Sequence, residues 1–177
     1  MKSVLVTGSD GLVGSALKIL INDYPYKGIF VNREQFDLTK EHEVEYLFHL
    51  YKPNYVIHAA ARVGGIKKNL VSPARQYYDN IMMNTLVVEY AKRFRVEKLI
   101  AFSSVCAFPE SINNPSEDDL HKSEPFPAHR SYAYAKRMVD IQIEAYSKEY
   151  GINYCSLIPG NIFGENDNFD VEEGHVI

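Results

Sequence analysis

A chain of 177 residues with a net charge of −4 is long enough for one domain with a real core and offers no basic surface for nucleic acid. Hydrophobic residues make up 46% and charged residues 24%, the composition of an ordinary globular protein, and the first apolar run, Val4 to Val6, is far too short for a signal peptide or a membrane span. Two cysteines, Cys106 and Cys155, make no disulfide framework, so reduced thiols in the cytoplasm are the expectation.

Apolar stretches and helical patterns alternate along the chain. This predicts an α/β fold: a Rossmann-like, doubly wound parallel sheet with helices on both faces. Ser3 to Thr7 reads as a buried first strand, and Leu12 to Ile21 as a helix that starts at a glycine turn. Gly28 to Asn32 is a second strand. Phe36 to Leu38 forms a short third, followed by a helix with Thr39 as N-cap and Glu41 to Leu50 as its body. Tyr55 to Ala59 is a strand, and Pro73 to Phe94 a helix. Lys98 to Ser103 is a strand, and the proline-rich stretch from Pro109 to Arg130 a loop. Ser131 to Glu149 is a helix, and Asn153 to Ile158 the last strand. The organisation expected is a nucleotide-binding domain over 1–164 and an acidic, aperiodic tail over 165–177, with no closing element after the strand at Tyr154.

Two features carry chemistry. Tyr132-Ala133-Tyr134-Ala135-Lys136 places a phenol and an ammonium four apart on one helix face, where the ammonium can lower the phenol's pKa. The turn Gly8-x-x-Gly11-Leu12-Val13-Gly14 lies between a strand and a helix, where a dinucleotide pyrophosphate sits; a plain strand-to-helix turn is the alternative. Arg33, after the second strand, favours the 2′-phosphate of NADP over the ribose of NAD. Asp37 lies near the adenine or caps the following helix. His58-Ala59-Ala60 ends a central strand with small residues that let backbone approach a ring, and His58 itself reads equally as a satisfied core histidine. Arg62 to Lys68 reads as a shaped loop. Ser104, at the carboxyl end of a strand, can hydrogen-bond a substrate carbonyl, whereas Ser103 caps the strand end. Cys106 sits beside this site as a plausible reactive thiol, and Cys155 is a small core residue. His42, His49, His121 and His129 look structural, and no spacing suggests a metal.

Thr7-Gly8-x-x-Gly11-x-x-Gly14, the small strand end at Ala59-Ala60, Ser104 and Tyr132-x-x-x-Lys136 resemble the extended short-chain dehydrogenases/reductases. Further segments, Val63-Gly64-Gly65-Ile66, Ser103-Ser104-Val105-Cys106 and His175-Val176-Ile177, are similar to a branch acting on nucleotide sugars. The resemblance implies NADPH-dependent 3,5-epimerisation and 4-reduction of GDP-4-keto-6-deoxymannose. It implies Tyr132 as proton donor to the C4 oxygen, Lys136 as the residue that lowers its pKa and holds the nicotinamide ribose, and Ser104 as a hydrogen bond to the carbonyl. It implies Cys106 and His175 as the epimerisation acid/base pair, and Asn80 as support of the cofactor site. It also implies a homodimer through the two long helices, and a C-terminal substrate-binding part that this chain lacks. Other expectations are a different nucleotide-sugar epimerase or dehydratase, or a non-catalytic NADP-binding partner of a full-length paralogue.

Overall fold

The computed structural model describes residues 1–165 and Asp167. Strands β1 (Lys2–Thr7), β2 (Tyr26–Val31), β3 (Tyr55–His58), β4 (Lys98–Phe102) and β5 (Tyr154–Leu157) form one parallel sheet of order β2-β1-β3-β4-β5. Parallel neighbours need crossovers, and α1 (Leu12–Leu20), α2 (Glu41–Tyr51), α4 (Pro73–Arg93) and α5 (Arg130–Tyr150) supply them. Right-handed crossovers put α1 on one face of the sheet and α2, α4 and α5 on the other, because the strand order reverses at β1.

Side-chain alternation along the strands follows this division. Leu5, Val56, Leu99, Ala101 and Tyr154 point to the α2–α4–α5 face and pack with Phe48, Val87, Tyr90 and Val139 in the main core. Their neighbours Ile57, Ile100, Phe102 and Cys155 point to the α1 face and stay half-exposed, and Leu157 remains 45% exposed. Local chemistry sets the helix ends. Pro73 opens α4, where its missing N–H costs nothing. Gly151 closes α5 in the left-handed conformation, φ +66°.

Three expectations are corrected. Phe36 to Leu38 is not a strand: the Asp37 N–H donates to the Glu43 carboxylate, and Asp37 Oδ1 accepts from both the N–H and the hydroxyl of Thr39. Local side-chain bonds of this kind replace a ladder. Thr39, occupied in that way, is not the N-cap of α2; Lys40 takes the position without a side-chain cap. The stretch Arg62 to Lys68 is not all loop. A short helix, α3 (Ile66–Val71), begins within it, and six residues between a Gly-Gly pair and a proline carry too little periodicity to announce it. His175 lies outside the described residues.

Candidate active site

A cleft of about 840 Å³ opens at the carboxyl ends of the strands, across the reversal in strand order, where open α/β sheets bind ligands. Its first end is the glycine turn. Gly8 has φ +72°, and a Cβ there would lie 2.7 Å from the Ala60 backbone. Gly8 must thus lack a Cβ for the turn to ride over the backbone at the end of β3. A Cβ on Gly14 would meet the Gly8 carbonyl at 2.2 Å, so Gly14 lets α1 pack on the turn. Gly11 differs: a Cβ there would make only ordinary contact, 3.5 Å from Gly8 O. The space it leaves open is cleft space. Gly11 is the N-cap of α1 without any side-chain cap, and Leu12 and Val13 follow it along the cleft wall. Bare amides at a helix start, beside a cradle that a Cβ would fill, fit a dinucleotide pyrophosphate.

Arg33 and Asp37 line the same end; partial burial pushes the Asp37 carboxyl up, but its hydrogen bonds from Thr39 and then the Lys40 and Arg33 charges outweigh this and hold it below its usual range. An acidic group reaches this corner from an unexpected direction. Asp10, in the glycine turn, accepts from Asn32 Nδ2 at 2.6 Å and from Lys18 Nζ at 2.8 Å. Lys18 and Asn32 pull its pKa down to about 2.

Ser104, Cys106 and Tyr132 line the other end. Ser104 follows β4 and caps a single helical turn at Val105–Ala107, its Oγ accepting from the Cys106 N–H at 3.3 Å. Arg137 fixes the loop beyond: its Nε donates to Ala107 O at 2.7 Å and its Nη1 to Ser123 O at 2.8 Å. Burial pushes the Tyr132 phenol up to about 12, while its hydrogen bond with Ser104 acts in the opposite direction. Lys136 is buried behind Tyr132, its Nζ 5.9 Å from the ring centroid and donating to Phe102 O at 2.8 Å. Burial brings it down to about 8. One of the three ammonium donors is taken by a backbone carbonyl, and the Ser104 hydroxyl is the group hydrogen-bonded to the phenol. Ser103 Oγ donates to Lys136 O at 3.3 Å and so ties β4 to α5.

A buried chain of hydrogen bonds joins the two ends. The parallel register sets Thr7 level with His58. Ala60 N–H donates to Thr7 Oγ1 at 3.3 Å, and Thr7 Oγ1 meets His58 Nδ1 at 2.8 Å. His58 Nε2 meets Asn84 Oδ1 at 3.1 Å, and Asn84 Nδ2 donates to Ala135 O at 3.3 Å. Asn84 Oδ1 can only accept, so His58 carries its proton on Nε2 and accepts the Thr7 hydroxyl at Nδ1. Burial brings its pKa down to about 3, with the Lys136 charge adding to the effect. His58 is a satisfied core histidine, one that spans from the glycine turn to the helix bearing Tyr132.

Asn80 lies behind the wall, fully buried, its amide bonded to both Arg62 N and Arg62 O and to Gln76 O. It shapes the Arg62 loop without facing the cleft. Lining residues that sequence reasoning missed include, besides Asp10, Asn69, Asp79 and His129. Asp79 is buried between Arg62 Nη1 at 3.1 Å and Arg75 Nε at 2.9 Å. His129 stands three residues before Tyr132, and that proximity was the available signal.

A parallel sheet whose glycine turn feeds a cleft with Ser104, Tyr132 and buried Lys136 is a Rossmann-like domain with a short-chain reductase grouping. The chain belongs to the NAD dependent epimerase/dehydratase family, whose model matches residues 4–177. More particularly, it is similar to the GDP-L-fucose synthase of Dictyostelium discoideum, with 37% identity over 99% of this chain and 56% of that protein. It is also similar to the GDP-L-fucose synthase of Sinorhizobium fredii, with 37% identity over 99% of this chain and 56% of that protein. The crystal structure of a GDP-L-fucose synthetase from Naegleria fowleri bound to NADP superposes with a TM-score of 0.90 at 37% identity, over 99% of this chain and 58% of that one. The chain thus spans little more than half the length of the curated relatives it matches. Among the described residues no helix is long and apolar enough to cross a membrane.

Proposed function

We propose that this chain supplies the NADP(H)-binding and catalytic half of a GDP-L-fucose synthase, which converts GDP-4-keto-6-deoxy-D-mannose to GDP-L-fucose by 3,5-epimerisation and 4-reduction. The observation that carries the reading is the grouping of Tyr132, its partner Ser104, and Cys106 in one cleft with the glycine turn. The resemblance of the whole chain to synthases of that name supports it.

The ketone at C4 acidifies the protons at C3 and C5, so inversion there needs a base and an acid close to the ring. Cys106, in the turn after Ser104, takes one of these roles, and the resemblance gives the other to His175. The amides at the start of α1 would hold the pyrophosphate, with Arg33 at the ribose 2′ end. Bound NADPH supplies hydride to C4. The Tyr132 phenol keeps its proton at neutral pH and delivers it to the C4 oxygen as negative charge develops there. Ser104 then steadies the phenolate left behind, and Lys136 holds the segment between Phe102 and α5.

A homodimer through α4 and α5 accompanies this reading: Tyr78 and Ile141 on those helices are 52% and 41% exposed, more apolar surface than packing on one sheet uses. A cytoplasmic setting accords with two free cysteines. The test is NADPH consumption with the keto sugar, together with solvent deuterium entering C3 and C5. No NADPH binding and no exchange, for this chain or for the chain joined to the relatives' C-terminal part, would overturn the proposal. Exchange that survives in Cys106→Ser would remove Cys106 from it.

A further inference from the structure

The wall opposite the glycine turn contains a histidine that the mechanism above does not use. His129 ends the single helical turn Pro127–His129, immediately before α5, and α3 packs against that turn. Its ring lines the cleft together with Tyr132, three residues on. Asn69, from α3, is buried and holds the ring: Asn69 Nδ2 lies 3.2 Å from His129 Nδ1. The orientation of that amide is fixed independently, because the same nitrogen donates to Gly64 O at 3.0 Å and to Gly65 O at 3.2 Å. Carbonyls only accept, so the atom facing His129 is the amide nitrogen, its two hydrogens shared among these three acceptors, and a proton on His129 Nδ1 would meet a donor.

Two consequences follow. The neutral ring must carry its proton on Nε2. A second proton would have to enter at Nδ1, against the Asn69 donor, so the imidazolium is disfavoured, and partial burial acts in the same direction. The ring is therefore unsuited to shuttle protons but well suited to donate a hydrogen bond. Nε2 has no partner among the described residues, nor is it among their sealed, unpartnered polar atoms. It is thus reached by solvent, on a residue that lines the cleft. Packing of the ring against Phe126, with centroids 5.8 Å apart, further limits its rotation.

We infer that His129 is a substrate-positioning residue: an imidazole whose Nε2–H donates to an oxygen of the hexose of the nucleotide sugar, with Asn69 holding it in that tautomer. This rests on the nucleotide-sugar reading above and adds a sugar contact to it. Neither residue takes part in proton transfer.

The experiment is an NMR titration of the chain with GDP-mannose, and separately with GDP, following the His129 ring nitrogens and the Tyr132 ring, beside calorimetric affinities for parent, His129→Leu and His129→Gln. The free protein should show the Nε2–H tautomer, and Asn69→Ala should turn it into a mixture. GDP-mannose should move the Nε2 resonance while GDP does not. His129→Leu should weaken GDP-mannose about threefold to tenfold, the worth of one ordinary hydrogen bond, while His129→Gln, which keeps an N–H donor, should recover most of that. GDP affinity should be the same in all three, which separates a lost sugar contact from a lost fold. If Tyr132 moves on adding GDP-mannose while His129 does not, and His129→Leu binds as the parent does, this inference is wrong and the nucleotide-sugar reading stands. If neither ring responds and GDP-mannose binds no better than GDP, both are wrong.

Discussion

One end of the cleft is built from backbone and the other from side chains. At the glycine turn, recognition lies in bare amides and in missing Cβ atoms at Gly8, Gly11 and Gly14. At the Tyr132 end it lies in a phenol, a hydroxyl, a thiol and an imidazole carried on α5 and the loops around it. The backbone end should depend on its glycines, Gly14 for packing and Gly11 for room in the cleft. The side-chain end should behave in the reverse manner, losing chemistry with single atoms while the fold remains.

The largest test bears on the joint between the two ends. His58 has a pKa near 3 in the folded protein against about 6.5 when free. Between those values the unfolded chain binds a proton that the folded chain refuses, so stability is full above about pH 6.5 and lost as pH falls toward 3. The loss should amount to at most about 5 kcal/mol, read by denaturant unfolding across that range. His58→Asn should be less stable at neutral pH and much flatter in acid. An equally steep acid loss in that variant would assign the effect to other groups.

Next in size, Tyr132→Phe should lower the reduction rate by about a hundred- to ten-thousandfold while cofactor affinity and melting temperature scarcely move. Near-normal NADPH oxidation would take the proton-donor role away from Tyr132. Gly14→Ala should do the opposite, costing about 1–3 kcal/mol or more of stability because its Cβ would meet the Gly8 carbonyl at 2.2 Å. Gly11→Ala should keep the melting temperature and lose cofactor binding. If the two alanine variants behave alike, the distinction between packing glycine and cradle glycine fails. The smallest effect belongs to Arg33→Ala, expected to weaken NADPH about tenfold through one charge-assisted contact and to leave NADH unchanged. Equal losses for both cofactors would show that Arg33 does not read the 2′-phosphate.

How far each end was legible in the sequence follows the same division. Backbone recognition leaves a local signature, so Gly8, Gly11 and Gly14 with a strand before and a helix after could be read directly. Tyr132 and Lys136 could be read because a helix fixes residues four apart. Contacts that depend on tertiary placement could not. Asp10 reaches the end of β2 only because β1 and β2 are neighbours, and His129 meets Asn69 across 60 residues of chain. The short helix α3 was hidden because six residues carry too little periodicity, and Asn69 within it meets His129 only through tertiary placement. Lys136 was placed correctly on the Tyr132 face, yet its amine turns to Phe102 O, a choice that periodicity does not encode.

The half-exposed face of the sheet has a bearing on how the protein must be handled. β5 is an edge strand among the described residues, with the exposed Leu157 at its tip and a neighbouring row of half-buried apolar groups, Ile57, Ile100 and Phe102, on the α1 side. Open edges with apolar faces recruit other strands. On warming, or at high concentration, copies of the chain should therefore clump through this edge before the α2–α4–α5 core gives way. Turbidity would then appear below the melting temperature, and dilution, not added denaturant, would be the gentle way to keep the protein in solution.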